Sequence, residues 1–214
     1  METTPIDAWT LVVPVKRLAR AKTRLVELPV DLRAELALAF AADTVAAALQ
    51  CPLVDGVVVV TDEPAASVLL SSIGADVVAD TPDAGLNPAL IHGALEAKQL
   101  YPVSGVGALS ADLPALRPGE LEHALDLSAS VPASFVSDGA GVGTTLLVAR
   151  SLDEFRPQFG PRSRAKHRAA GVREIESDAL ATLRRDVDTQ VDLWDAERLG
   201  LGPRTQAVLA SLPG

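Results

Sequence analysis

Hydrophobic positions in this chain fall into short, near-continuous runs, separated by longer stretches in which they recur every three or four residues. The run Trp9-Thr10-Leu11-Val12-Val13-Pro14-Val15 predicts a buried strand, and Asp31 to Leu49, rich in Ala, Leu and Glu, predicts the first helix after a polar loop. Val54 to Val60 holds four consecutive valines, the mark of a strand covered on both faces in a parallel sheet. A helix over Glu63 to Ile73, a short strand over Ala75 to Ala79 and a turn-rich loop from Asp80 to Leu86 follow. Asn87-Pro88 has the form of an N-cap followed by proline at the first helical position, opening a helix to about Leu100. Val103 to Ser110 then predicts a fourth strand, ending at Asp112. This β-loop-α alternation predicts a doubly wound α/β sheet, whose ligands sit beyond the carboxyl ends of the strands.

The second half changes character. Ser134 to Asp138 and Thr144 to Ala149 predict two strands joined by Gly139-Ala140-Gly141-Val142-Gly143, with no helix between them. A dinucleotide fingerprint must open a helix, and the residues after these glycines are β-branched, so a Rossmann cofactor loop is rejected. A glycine-rich hairpin and a close backbone approach to a ligand remain the two readings. Phe159 to Arg168 is a basic loop leading into a helix. Its Ser163-x-x-Lys166 matches a β-lactamase motif whose companion motifs are missing, so the match is set aside. His92 and His123 fall in predicted helices as surface or half-buried residues, and no sequence repeat is evident.

Composition narrows the function. The 214 residues suffice for one core, and nothing in the pattern divides them, so residues 1–214 are expected to form a single domain. The formal charge of -9 argues against a nucleic-acid partner, which would demand a broad basic surface. The apolar runs are too short to span a bilayer, and the acidic start Met1-Glu2-Thr3-Thr4 lacks the order of a secretory signal, so a cytoplasmic location without a membrane partner is expected. The single Cys51, just before Pro52, reads as a small packing residue.

Against that acidity, Lys16-Arg17-Leu18-Ala19-Arg20-Ala21-Lys22-Thr23-Arg24 gathers five cations without an acid directly after the first strand, where α/β folds bind phosphates. A solvated basic face is the alternative. No P-loop motif is present, and no His/Cys cluster supports zinc. Arg162, Arg164, Lys166 and Arg168 form a second cationic patch, around His167, suited to a second anion. Two aspartates spaced by one residue, Asp186 and Asp188, share a face if the segment is extended, and with Asp112 they would form an oxygen-rich cradle for Mg2+. Asp188-Thr189 also suits a helix cap.

The order of motifs is more specific than any one of them. Pro14 to Leu25, Leu86-Asn87-Pro88-Ala89-Leu90, Asp112-Leu113-Pro114-Ala115-Leu116, Gly141-Val142-Gly143-Thr144, Phe159-Gly160-Pro161-Arg162-Ser163 and Asp186-Val187-Asp188-Thr189 together resemble the CofC/FbiD family of phospholactate or phosphoenolpyruvate guanylyltransferases, over nearly the whole chain. The resemblance implies a nucleotidyltransferase fold of the GT-A, nucleotide-diphospho-sugar transferase kind, with a mixed, mostly parallel sheet flanked by helices. It implies an enzyme that joins GTP to a three-carbon phosphorylated acid, phosphoenolpyruvate first or 2-phospho-L-lactate, releasing pyrophosphate. The product would pass to a downstream transferase in the biosynthesis of the deazaflavin coenzyme F-420. By motif, Asp112, Asp186 and Asp188 would hold Mg2+, with Lys16, Lys22 and Asp112 catalytic. Lys16, Lys22 and Arg24 would embrace the GTP phosphates, and Asn87 would help place the guanosine. Thr144, Gly160 and Ser163 would bind the phosphorylated acid, with Thr145 a neighbouring candidate for the place of Thr144. A related nucleotidyltransferase or glycosyltransferase with another acceptor, or a noncatalytic nucleotide-sensing module, are the rival readings.

Overall fold

A computed structural model describes residues 8–16, 29–81 and 83–211. In chain order its elements are β1 (Trp9–Pro14), α1 (Val30–Leu49), β2 (Val54–Val60), α2 (Pro64–Ser72), β3 (Asp76–Val78), α3 (Leu86–Leu100), β4 (Gly105–Leu109), α4 (Pro118–Ser128), β5 (Ala133–Ser137), β6 (Thr144–Ala149), α5 (Ser163–Ala169), β7 (Arg173–Glu174), α6 (Gln190–Leu199) and α7 (Pro203–Ala210). No helix among the described residues is long and apolar enough to cross a membrane.

The strands form one sheet in the order β3-β2-β1-β4-β6-β5-β7. β1 to β4 pair in parallel, β6 runs antiparallel between β4 and β5, and β7 is parallel to β5. The mixed, mostly parallel sheet implied by the resemblance is therefore the one observed. The reversal has a local cause. The glycine-rich segment turns the chain straight back from β5 into β6, whereas a parallel neighbour would have needed a crossover of a dozen residues or more.

The valine run of β2 divides with the period of a strand. Val57 and Val59 join the core on one sheet face, with Leu11, Val13 and the helix residues Val45, Leu70, Leu121 and Leu125. Val58 and Val60 join the opposite face, with Val12, Leu90, Ala94 and Phe135. Each fully buried valine contributes about 1.5 to 3 kcal/mol, which is why such a run must lie between two helical layers.

A third cluster joins Leu36 and Phe40 of α1 to Val187, Leu193 and Ala196 of the segment leading into and through α6. α7 is anchored beside it. Its N-cap, Gly202, has no capping side chain, and Asp43 of α1 supplies one: it accepts from the N–H groups of Arg204 at 3.1 Å and Thr205 at 2.8 Å.

One boundary differs from the sequence reading in an informative way. α3 starts at Leu86, with Gly85 at φ 102° as its N-cap, so Asn87 is not the cap. Its amide is drawn elsewhere, to the backbone of Phe159, and a glycine takes the left-handed entry instead.

Candidate active site

Because β6 runs opposite to its neighbours, its first residue lies at the sheet edge where the parallel strands end. The pairings Val12 with Ala108, Leu109 with Leu146 and Ser137 with Thr144 bring Lys16, Asp112, Asp138 and Thr144 to that one edge. Lys16 is exposed there, just past Val15, whose N–H donates to Val60. Lys22 and Arg24 lie outside the described residues.

The loop carrying Asp112 is pinned from below. The hydroxyl of Thr44 accepts from the N–H of Leu113 at 3.0 Å and donates to the carbonyl of Phe40 at 2.8 Å. The carbonyl of Asp112 accepts from the N–H of Val187 at 3.0 Å, which lays the Asp-x-Asp segment against it. Val187 is fully buried, while Asp186 and Asp188 on either side are half-buried, the alternation of extended chain. Thr189 follows as the N-cap of α6 in a reciprocal capping box with Asp192. The capping reading of Asp188-Thr189 therefore holds, with Thr189 as the cap directly after the acidic pair.

Asp186 feels this arrangement most. Burial, then the charges of Asp112, Asp138 and Asp188, push its carboxyl up to about 7. A crowd of carboxylates that holds one member protonated near neutrality is what a divalent cation would relieve. Among the described residues no three acidic, imidazole or thiol side chains form a ready-made ligand cage. The arrangement fits a hard cation that takes a few protein carboxylates and keeps water on its other positions.

Asp138 was not singled out in the sequence, where it reads only as the polar end of a strand. Its carboxylate accepts from the N–H of Val142 at 2.8 Å and of Gly143 at 2.7 Å, folding the glycine-rich turn around itself. A Cβ on Gly143 would lie 2.4 Å from Asp138 Oδ2, so the turn closes only over glycine. Arg184, two residues before Asp186, donates to the carbonyls of Ser137 and Asp138 and accepts from Gly139 N–H at 2.6 Å. The turn and the acidic segment are thus tied together.

Directly after that turn, Thr144 is buried with Oγ1 3.0 Å from Nδ1 of His167. The β5–β6 register passes from Leu146 to Thr144, so Thr145 is skipped, and its buried hydroxyl has no partner among the described residues. Of the two hydroxyls at this end of β6, the one that meets the imidazole is that of Thr144. Ser163, buried, opens α5 with its N–H on the carbonyl of Gly160, and Gly160 has φ 111° in the turn before it. Asn87 clasps the preceding residue from both sides, its Nδ2 donating to Phe159 O at 3.1 Å and its Oδ1 accepting from Phe159 N–H at 2.8 Å. Asn87 shapes the Gly160 loop as well as lying at the start of α3.

The second cationic patch is divided by the fold. Arg164 donates to Glu174 at 2.7 Å and to the carbonyl of Gly141 at 3.1 Å, and Arg168 lies 3.6 Å from the same carboxylate. These two arginines fasten α5 to β7 and to the glycine-rich turn; Arg162 and Lys166 remain exposed. The expectation of one four-cation anion site is corrected accordingly.

Residues 9–212 match the family model described as guanylyl transferase, CofC-like. The chain belongs to that family. It is similar to the phosphoenolpyruvate guanylyltransferases of Thermomonospora curvata, 58% identical over 205 residues covering 96% of this chain and 90% of that one, and of Streptomyces coelicolor, 56% identical over 205 residues covering 95% and 97%. Among solved structures, a nucleotidyl transferase from Methanothermobacter shares the fold at TM-score 0.62 and 18% identity, covering 90% of this chain and 98% of that one.

Proposed function

We propose that this protein transfers the guanylyl group of GTP to phosphoenolpyruvate and releases pyrophosphate, feeding the formation of a deazaflavin coenzyme. A phosphate oxygen of the acid attacks the α-phosphorus of GTP in line; the new P–O bond forms as the bond to the β-phosphate bridging oxygen breaks. That oxygen of the acid is ionised at neutral pH and needs no general base, so catalysis reduces to alignment and charge neutralisation. Lys16, with Lys22 and Arg24, takes the triphosphate. Thr144, Ser163 and the backbone at Gly160 take the acid, and Asp138 keeps the turn before Thr144 folded. Asp112, Asp186 and Asp188 would hold Mg2+, which supplies charge neutralisation at the transferring phosphoryl group.

The observation that carries this reading is the crowding of Asp186 by Asp112, Asp138 and Asp188 at the sheet edge that also holds Thr144. Support also comes from family membership across residues 9–212 and from the similarity to phosphoenolpyruvate guanylyltransferases.

The test is pyrophosphate release by purified protein with Mg2+ and GTP, supplying phosphoenolpyruvate, 2-phospho-L-lactate or 3-phosphoglycerate, with the deazaflavin transferase and its acceptor present to draw off product. Release with phosphoenolpyruvate and GTP, and not with ATP, is expected. Release only with another acid reassigns the acceptor, and a nucleoside diphosphate as product would point to glycosyl transfer.

A further inference from the structure

His167 lies on α5 with no exposed surface, and both of its ring nitrogens are engaged. The backbone N–H of Gln158 points at Nε2 from 3.0 Å. An amide N–H can only donate, so Nε2 must present its lone pair, and the proton of the neutral ring sits on Nδ1. Nδ1 is the atom 3.0 Å from Thr144 Oγ1. The ring therefore donates to Thr144, and the hydroxyl proton of Thr144 turns away from it.

Other contacts prevent the alternatives. The Phe135 and Phe159 rings lie 5.4 and 5.6 Å from the imidazole and limit its rotation. Gln158 is itself held, because the next residue, Phe159, is clasped on both backbone groups by Asn87. Burial, with the neighbouring charge of Lys166, lowers the imidazole to about 4, so the neutral ring persists at neutral pH.

A threonine hydroxyl can donate or accept, whereas an ionised phosphate or carboxylate oxygen only accepts. We infer that His167 is a positioning residue that commits the Thr144 hydroxyl to donating, and so tunes this end of β6 for an anionic oxygen of the second substrate. The inference rests on the reading above, in which that substrate is a phosphorylated acid. It adds the reason one threonine of the Thr144-Thr145 pair can bind it: the ring N–H takes a lone pair of Thr144 and leaves its proton for the substrate.

Two substitutions at one position separate the contacts. His167→Asn keeps an amide donor near the place of Nδ1 for Thr144, and His167→Gln keeps an acceptor near the place of Nε2 for Gln158. With pyrophosphate release as readout, H167Q should raise KM for phosphoenolpyruvate on the order of tenfold, as loss of an oriented hydrogen bond to a charged group does, and leave KM for GTP essentially unchanged. H167N should stay closer to wild type. In a Thr144→Val background, H167Q should add nothing further. A rise in both KM values, or the same penalty in the T144V background, would overturn the inference.

A readout independent of turnover keeps the two claims apart. The nitrogen-15 spectrum of the imidazole should show His167 as the Nδ1–H tautomer at neutral pH; an imidazolium or an Nε2–H ring would refute the positioning role. If wild-type protein releases no pyrophosphate with any acid, the proposed function fails, while those signals still decide the tautomer.

Discussion

The two halves of the sheet hold their share of the active edge by different means. In the parallel half, β1, β2 and β4 are almost wholly apolar, and the loop of Asp112 is held by the Thr44 hydroxyl and by backbone bonds from Val187 and Gly202, over packed valines and leucines. In the reversed half, the loops are held by directed polar clasps: Asp138 on Val142 and Gly143, Asn87 on Phe159, Arg164 on Gly141, Arg184 on Asp138, and His167 on Gln158 and Thr144. Apolar burial is non-directional and forgiving of shape, while a buried donor left without its acceptor costs about 1 to 3 kcal/mol. In the proposed reaction the directed half is the one that takes the acceptor.

This contrast should appear first in the acids that span the halves. Asp112→Ala or Asp188→Ala is expected to cost roughly a thousandfold or more in kcat, with the circular dichroism spectrum unchanged. Near-normal metal-dependent turnover in either folded variant would remove them from the chemistry.

Gly143→Ala should next break the reversed half alone. Its methyl group would displace the Asp138 carboxylate, lowering stability by about 1 to 3 kcal/mol in urea melts and raising KM for the acid more than that for GTP. An equal rise in both would dissolve the division into halves.

Asp186→Asn sharpens the comparison through pH. A carboxyl raised from 3.8 unfolded to about 7 folded keeps its proton longer in the native state, so its contribution to stability falls as pH rises across that window and stays low above it. Metal-free D186N should lose that downward slope and melt higher than metal-free wild type at mildly alkaline pH, while losing turnover. A slope identical to wild type would show that Asp186 is not the group responsible.

The smallest effect is expected at the neighbouring threonines. Thr145→Val removes a buried hydroxyl that has no partner among the described residues, so stability and KM should stay the same or improve slightly. Thr144→Val should weaken binding of the acid. The reverse outcome would reassign the site to Thr145.

Much of this was legible in the sequence where a pattern had one physical meaning. Four valines in a row marked a strand covered on both faces, and glycines between two strand-like runs with no helix between them gave a reversal of the chain as one of two readings, the one the fold adopts. Asp112 stood out as an acid at the end of an apolar run, and Asp186 and Asp188 as carboxylates spaced to share one face of an extended segment. Asp138 escaped notice, since its work lies in accepting from backbone groups four and five residues ahead, which any strand-ending aspartate could do. His167 was concealed by its basic neighbours: charge drew the eye to the arginines, two of which turned out to be neutralised by Glu174, while the neutral ring among them points inward. Asn87 matched a capping signature so well that its long-range grip on Phe159, 72 residues away, had no local sign.

The anchoring of α7 on Asp43 also sets a timetable. Asp43 must wait for Arg204, 161 residues further along the chain, and the carbonyl of Pro114, two residues from Asp112, must wait for the N–H of Gly202. At ribosomal speeds that delay lasts about ten to thirty seconds. Through it, the nascent protein can lay down its valine-rich sheet and pin Leu113 on Thr44, but the loop that carries Asp112 still lacks its bond from Gly202. A chain ending shortly before residue 202 would thus keep most of its core while lacking the last bond to the loop of Asp112.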